Sequence, residues 1–200
     1  MKSYKLILTV LLLAVLLASC NSKNKTKSAE TAKKEIVTPA KSPEEMAVFY
    51  QAALEGNINL IRQYLNEGVD VNSTDENKRT ALMLASFNGH TNVVRLLLDN
   101  GADIKMVDDV NRTALMFAST GPFNETVVEL INAGSEVNAT DSHENWTPLM
   151  FAAGEGQLEV VKTLIANGAD KTMVDIDGES ALYFARTKGH QKVVEYLEKQ

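Results

Sequence analysis

Two short apolar patterns alternate along most of this chain. Thr80 introduces Ala81-Leu82, with Ala85 one turn further on, and this spacing predicts a short helix. Val94, Leu97 and Leu98 predict a second helix that stops at Gly101, and Gly89-His90 supplies the turn between the two. The sentence is then repeated. Leu115 and Ala118, Leu149 and Ala152, and Leu182 and Ala185 stripe later first helices. Val127, Leu130 and Ile131, then Val161, Leu164 and Ile165, stripe later second helices.

The period is regular. Helix-ending glycines at Gly68, Gly101, Gly134 and Gly168 are separated by 33, 33 and 34 residues. The hydroxyl residues Thr80, Thr113, Thr147 and Ser180 are separated by 33, 34 and 33, so both series place one extra residue between Ser135 and Trp146. A Thr or Ser before Ala-Leu or Pro-Leu is a helix N-cap, its hydroxyl accepting from an orphan backbone N–H. Glycine after the second helix suits a left-handed C′ position. About ten polar, Asp- and Asn-rich residues then cross to the next copy as a hairpin-like finger would. Periods of this kind indicate stacked units, none of which can bury its apolar face alone.

The N-terminal residues read differently. Lys2 and Lys5 precede an apolar run from Leu6 to Ala18, which has the shape of a secretory signal and is short for a membrane span. Residues 21–42 are polar and Lys-rich, and predict a flexible tether between residues 20 and 43. Its six lysines would serve either as a solvated spacer or as contacts to anionic headgroups.

Charge adds an exclusion. The chain carries a formal charge of −6, but residues 43–200 hold 12 basic against 24 acidic side chains, a net of −12. Nucleic-acid binding requires a basic face, so no nucleic-acid partner is expected. Cys20 is the sole cysteine, which excludes an internal disulfide and a thiolate metal site.

The segments TALMLASFNGHTNVVRLLLDNGADI, TPLMFAAGEGQLEVVKTLIANGAD and SALYFARTKGHQKVVEYL, with a more divergent copy from Ala47, resemble the ankyrin repeat. The resemblance implies a mainly α fold: a solenoid of about five stacked helix-turn-helix units with β-hairpin fingers, in copies near 44–76, 77–109, 110–143, 144–176 and 177–200. It also implies a binding role without catalysis. Leu17-Ala18-Ser19-Cys20 resembles the bacterial lipobox. That resemblance implies removal of residues 1–19, lipidation of Cys20 and anchoring in the cell envelope. Asn21, in place of the Asp that marks inner-membrane retention, points to the outer membrane, facing the periplasm.

The chain departs from the family pattern in places. Met83, Met116, Met150 and Tyr183 stand where the family places a hydrogen-bonded His. Gly121-Pro122-Phe123-Asn124 replaces the Gly-His turn, and Lys171-Thr172 replaces a Val-Asn pair.

Candidate chemistry is sparse. His90 and His190 fall in the repeat's turn, where the family's ring bonds backbone, and His143 lies at a finger tip. Asp175-Ile176-Asp177-Gly178 lacks most of a calcium-loop pattern and reads as a turn. No catalytic residues, metal ligands or cofactors are expected.

The resemblance implies that a partner meets the finger tips and the concave face of the first helices. Transferred copy by copy, the positions are Glu76, Asn77, Arg79, Phe87 and Asn88, then Asp109, Val110, Arg112, Thr120 and Phe123. Ser142, His143, Trp146 and Glu155 follow, and finally Ile176, Asp177 and Glu179. Trp146 is either an interface anchor or folded back on its own finger. The four fingers hold 13 acidic and 5 basic residues, which favours a protein partner with a basic patch. A monomer is expected, acting as a tethered interaction module or as a stabilising or inhibitory companion of an envelope enzyme.

Overall fold

The computed structural model describes residues 41–200. The signal segment, Cys20 and the linker as far as residue 40 lie outside the described residues. Among the described residues ten helices form five pairs: α1 (Pro43–Glu55) with α2 (Ile58–Asn66), α3 (Ala81–Phe87) with α4 (Thr91–Asp99), and α5 (Ala114–Ser119) with α6 (Asn124–Asn132). The last two pairs are α7 (Pro148–Gly154) with α8 (Leu158–Ala166), and α9 (Ala181–Thr187) with α10 (Gln191–Lys199). The odd-numbered helices pack in one row and the even-numbered in a second. Among the described residues no helix is long and apolar enough to cross a membrane.

Each boundary has a local cause. Thr80, Thr113, Thr147 and Ser180 hydroxyls accept from the backbone N–H three residues on, at 3.2–3.4 Å. Ser42 does the same for α1 and donates its own backbone N–H to the Glu45 carboxylate in return, a reciprocal capping box with Pro43 at the first helical position. The helix-ending glycines Gly68, Gly101, Gly134 and Gly168 all have φ between 85° and 95°, the left-handed region where a side chain is strained.

Helices of six to nine residues are too short to persist alone, so the stack stabilises them. Leu82, Leu115 and Leu149 are fully buried with Ala85, Ala118 and Ala152, and the alanines let successive inner helices approach. In the outer row Val94, Leu97, Val127, Leu130, Val161 and Leu164 are buried. Thr126 is buried where the neighbouring copies carry Val93 and Val160, and its hydroxyl is satisfied by Thr91 Oγ1 at 2.7 Å. One continuous apolar cluster runs from Phe49 to Leu197.

The three Met departures and the Phe123 turn have packing explanations. Met83, Met116 and Met150 are all buried and fill the space between inner helices, and Met150 Sδ also accepts from the Thr147 backbone N–H at 3.4 Å. His90 and His190 bond through Nε2 to the carbonyls of Leu54 and Gly154 in the preceding copy, each at 2.9 Å. Their rings lie so close over Gly56 and Gly156 that a Cβ there would collide with them. Phe123 occupies the equivalent place in the third copy and covers Gly89 in the same way.

The β-hairpin fingers implied by the resemblance are not shown as strands, although one backbone bond closes each finger, from Asp75, Asp108, Asp141 and Asp175 N–H to the carbonyls of Arg79, Arg112, Trp146 and Glu179. Among the described residues the only β pairing consists of two isolated antiparallel bridges, Thr74 with Thr80 and Val174 with Ser180. The physical reason lies in the aspartates at the base of each finger.

Candidate protein-binding surface

Each finger is a tight turn built on one carboxylate. Asp75 Oδ1 accepts from the N–H of Asn77 and Arg79, at 2.9 and 2.8 Å. Asp108 repeats this with Val110 and Arg112, at 3.1 and 2.8 Å, and Asp175 with Asp177 and Glu179, at 3.0 and 2.8 Å. Asp141 accepts from His143, Glu144 and Trp146, absorbing the extra residue of that finger. A side chain thus takes amides that a strand ladder would need, and the chain closes as a turn. Lys78, Asn111 and Asn145 adopt φ near 60°, and Gly178 takes the same place at 81°.

Neighbouring fingers are tied by single backbone bonds. Asp109 N–H donates to Asn77 C=O, Ser142 to Val110, and Ile176 to Glu144, at 2.8–3.1 Å. The side chain of Asn72 adds a bridge to Gly101 C=O and Asp103 N–H, and Asn138 does the same to Gly168 and Asp170. The row is therefore a fixed edge beside the inner helices.

In the first two fingers the residue before the helix cap is Arg. Arg79 closes on Asp75 Oδ2 through Nε and Nη2 at 2.8 and 2.7 Å, and Arg112 closes on Asp108 through the same pair at 2.7 Å. Arg112 also lies over the Phe117 ring, 4.8 Å from its centroid. Phe117 in turn meets Phe87 edge-on at 6.1 Å, and the Phe87 side chain remains exposed at 44%. These residues border a groove of about 720 Å³ between α1, α3 and the first finger, with Tyr50, Leu54 and Leu84 on its apolar wall. Of the residues expected at an interface, the groove brings together Glu76, Arg79, Phe87 and Arg112.

The last two fingers differ. Trp146 stands in the arginine register and packs between Phe151 and Phe184, with centroids at 5.1 and 4.4 Å, so it folds onto the inner helices and is half-buried. Glu179 occupies the register in the last finger. Its carboxylate hydrogen-bonds Tyr183 and pushes that phenol above its ordinary pKa, with Asp175 and Asp177 acting in the same direction. Ile176 and Asp177 are exposed at the finger tip, as are Ser142 and His143. His143 Nδ1 lies 3.2 Å from Glu144, an exposed pair of little energetic weight.

Other expected positions have different surroundings. Asn88 donates to Leu54 C=O at 2.7 Å, sharing that acceptor with His90. Thr120 donates to Phe117 C=O, and its own carbonyl accepts from Gln157. Phe123 packs over Gly89 and Gly121 at the interhelical turn, outside the groove. Glu155 is exposed at the C-cap of α7, and Asp109, Asn77 and Val110 line the finger-to-finger bonds. Sequence reasoning passed over Tyr50, Leu84 and Phe117. The signal that marks Phe117, Phe151 and Phe184 is an apolar residue four places after each cap, repeated at the period of the copies. Among the described residues no three His, Cys, Asp or Glu side chains are grouped to hold a metal ion.

A double row of short helices with a groove beside its first finger defines a repeat solenoid that presents a recognition surface. The family model for ankyrin repeats in three copies matches residues 49–141 and 121–200, and the chain belongs to the ankyrin repeat family. Members of that family are in general protein–protein interaction modules. No curated protein matches the chain.

Proposed function

We propose that this chain is a non-catalytic protein-interaction module held at a bacterial envelope membrane, in the outer membrane facing the periplasm, by lipid on Cys20. The observation that carries the interaction reading is the groove beside Phe87, an exposed aromatic ring on a rigid, hydrogen-bonded frame. Exposed apolar area rimmed by polar groups is characteristic of partner surfaces. The anchor rests on the lipobox-like Leu17-Ala18-Ser19-Cys20 segment, followed by a Lys-rich stretch long enough to hold a domain clear of the bilayer.

Two measurements test the two halves separately. A photocrosslinking residue at Phe87 or Ile176 in native cells should trap another protein, whereas one at Arg62 on the outer row should not. The interaction reading fails if all three positions behave alike. Cys20→Ser should release the protein from membranes, and continued membrane fractionation of that variant would remove the anchor.

A further inference from the structure

The groove and the finger row carry information about the partner's chemistry. We infer that the surface takes a peptide segment with one large apolar side chain, seated beside Phe87, and lysines or arginines next to it, running towards the later fingers. This rests on the interaction reading above and assigns its partner class.

The apolar requirement follows from the groove itself. A space of about 720 Å³ walled by Leu54, Leu84, Phe87 and Phe117 exceeds what a small polar side chain fills. Phe87 is the largest exposed apolar side chain on that wall, and covering it removes from water a ring that the fold leaves in it.

The charge requirement follows from pairing. The two arginines at the groove do not attract acids, because each is already neutralised by the aspartate of its own finger. Arg79 and Arg112 use Nε and Nη2 in this way, and among the described residues no hydrogen bond engages Nη1 of either, which leaves it available to main-chain carbonyls. Glu76, at the groove rim, is exposed and has no cation partner among the described residues. Beyond it the balance becomes more negative. The first two fingers hold three acids and two bases each, the third holds three acids and no base, and the fourth holds four acids and one base. That one base, Lys171, is turned to the Leu197 carbonyl at 3.4 Å. A ligand meeting this row gains attraction with each positive charge and is steered by them, an effect that salt screens.

The test is a matrix of 12-residue peptides with Phe, Leu, Trp or Ala at the centre and Lys, Ser or Glu in the flanks, titrated by fluorescence anisotropy against the full chain in lipid nanodiscs. Peptides with an aromatic or Leu centre and Lys flanks should bind about ten-fold tighter than Ala-centred ones. Phe87→Ser, with its fold checked by circular dichroism because the ring also meets Phe117 edge-on, should abolish that difference. Glu76→Gln should reduce the Lys-over-Ser preference about two- to three-fold and leave the apolar preference intact. The inference is overturned if Ala-centred peptides bind equally, if Glu flanks are preferred, or if Phe87→Ser changes nothing. A flat matrix with a partner trapped at Ile176 removes the groove assignment and leaves the interaction module. A flat matrix with no partner trapped at any position removes both.

Discussion

The Asp108–Arg112 lock gives a sharp stability prediction. The Asp108 side chain is fully buried, with 0% exposure, while that of Arg112 is 36% exposed. Arg112→Ala removes two charge-assisted bonds of 2.7 Å and leaves a buried carboxylate with only two amides. Breaking a fully buried pair costs about 3–5 kcal/mol, and solvent reaching the arginine side reduces this to about 2 kcal/mol. In a chain of this size that corresponds to about 4–8 °C in Tm. The stranded charge supplies much of the cost, so Asp108→Asn in the Arg112→Ala background should recover about half of it, the amide oxygen still accepting from residues 110 and 112. Arg79→Ala should cost less, because the Asp75 side chain is already 12% exposed. Thermal melts of the three variants, with hydrogen exchange at the residue 110 and 112 amides, measure this directly. The reasoning is refuted if Arg112→Ala behaves as a surface arginine, within about 0.5 kcal/mol of the parent, or if Asp108→Asn adds to its damage.

Two further outcomes follow from the same frame. Lys105 occupies the register of Asn72 and Asn138 but makes no bridge to the next finger, so Lys105→Asn should bond Gly134 C=O and Glu136 N–H and stabilise by about 1 kcal/mol in a denaturant titration. At the N-terminal end, the Ser42 backbone N–H and Lys41 hold Glu45 below its ordinary carboxylate pKa, and Lys41 and Gln63 do the same for Glu67. A depressed folded pKa contributes stability that is present above the ordinary value of 4.5 and is lost as pH falls through the depressed one. Amide protection in the first turn of α1, measured as exchange relative to the intrinsic rate at each pH, should therefore fall on acidification below pH 4.5, ahead of that of the α5 amides.

The parts of this fold that were legible in the sequence are those decided inside a single copy. Thr80 caps its helix through an amide three residues away, and Gly101 ends the next helix because φ of 85° suits it. Neither depends on a neighbour. The parts that were not legible depend on what the adjacent copy places opposite. Phe123 looks like a surface aromatic until Gly89 of the preceding copy is seen to lack the Cβ that would exclude its ring. Trp146 could equally have pointed outward, and Phe184 of the following copy draws it in. The tight turn of each finger was not legible for a different reason. Asp75, Asp108, Asp141 and Asp175 follow the same period as the caps, but a recurring Asp does not reveal that its carboxylate will bind the finger amides itself.

One register concentrates these lessons. The residue before each cap is Arg79, Arg112, Trp146 and Glu179 in turn; the two arginines close on their own fingers, while Trp146 and Glu179 meet side chains of the inner helices. Arg there neutralises the buried aspartate below it, Trp leaves that charge unneutralised, and Glu adds another. A gradient of charge along an otherwise uniform stack thus needs only four side chains, all outside the apolar stripe that specifies stacking. The same placement makes the register a poor target for alanine scanning. Arg112→Ala would weaken binding through a loosened finger even if the guanidinium never touched a partner. Phe87 and Glu76, exposed and uninvolved in holding the fingers, are the positions at which a loss of binding reports contact.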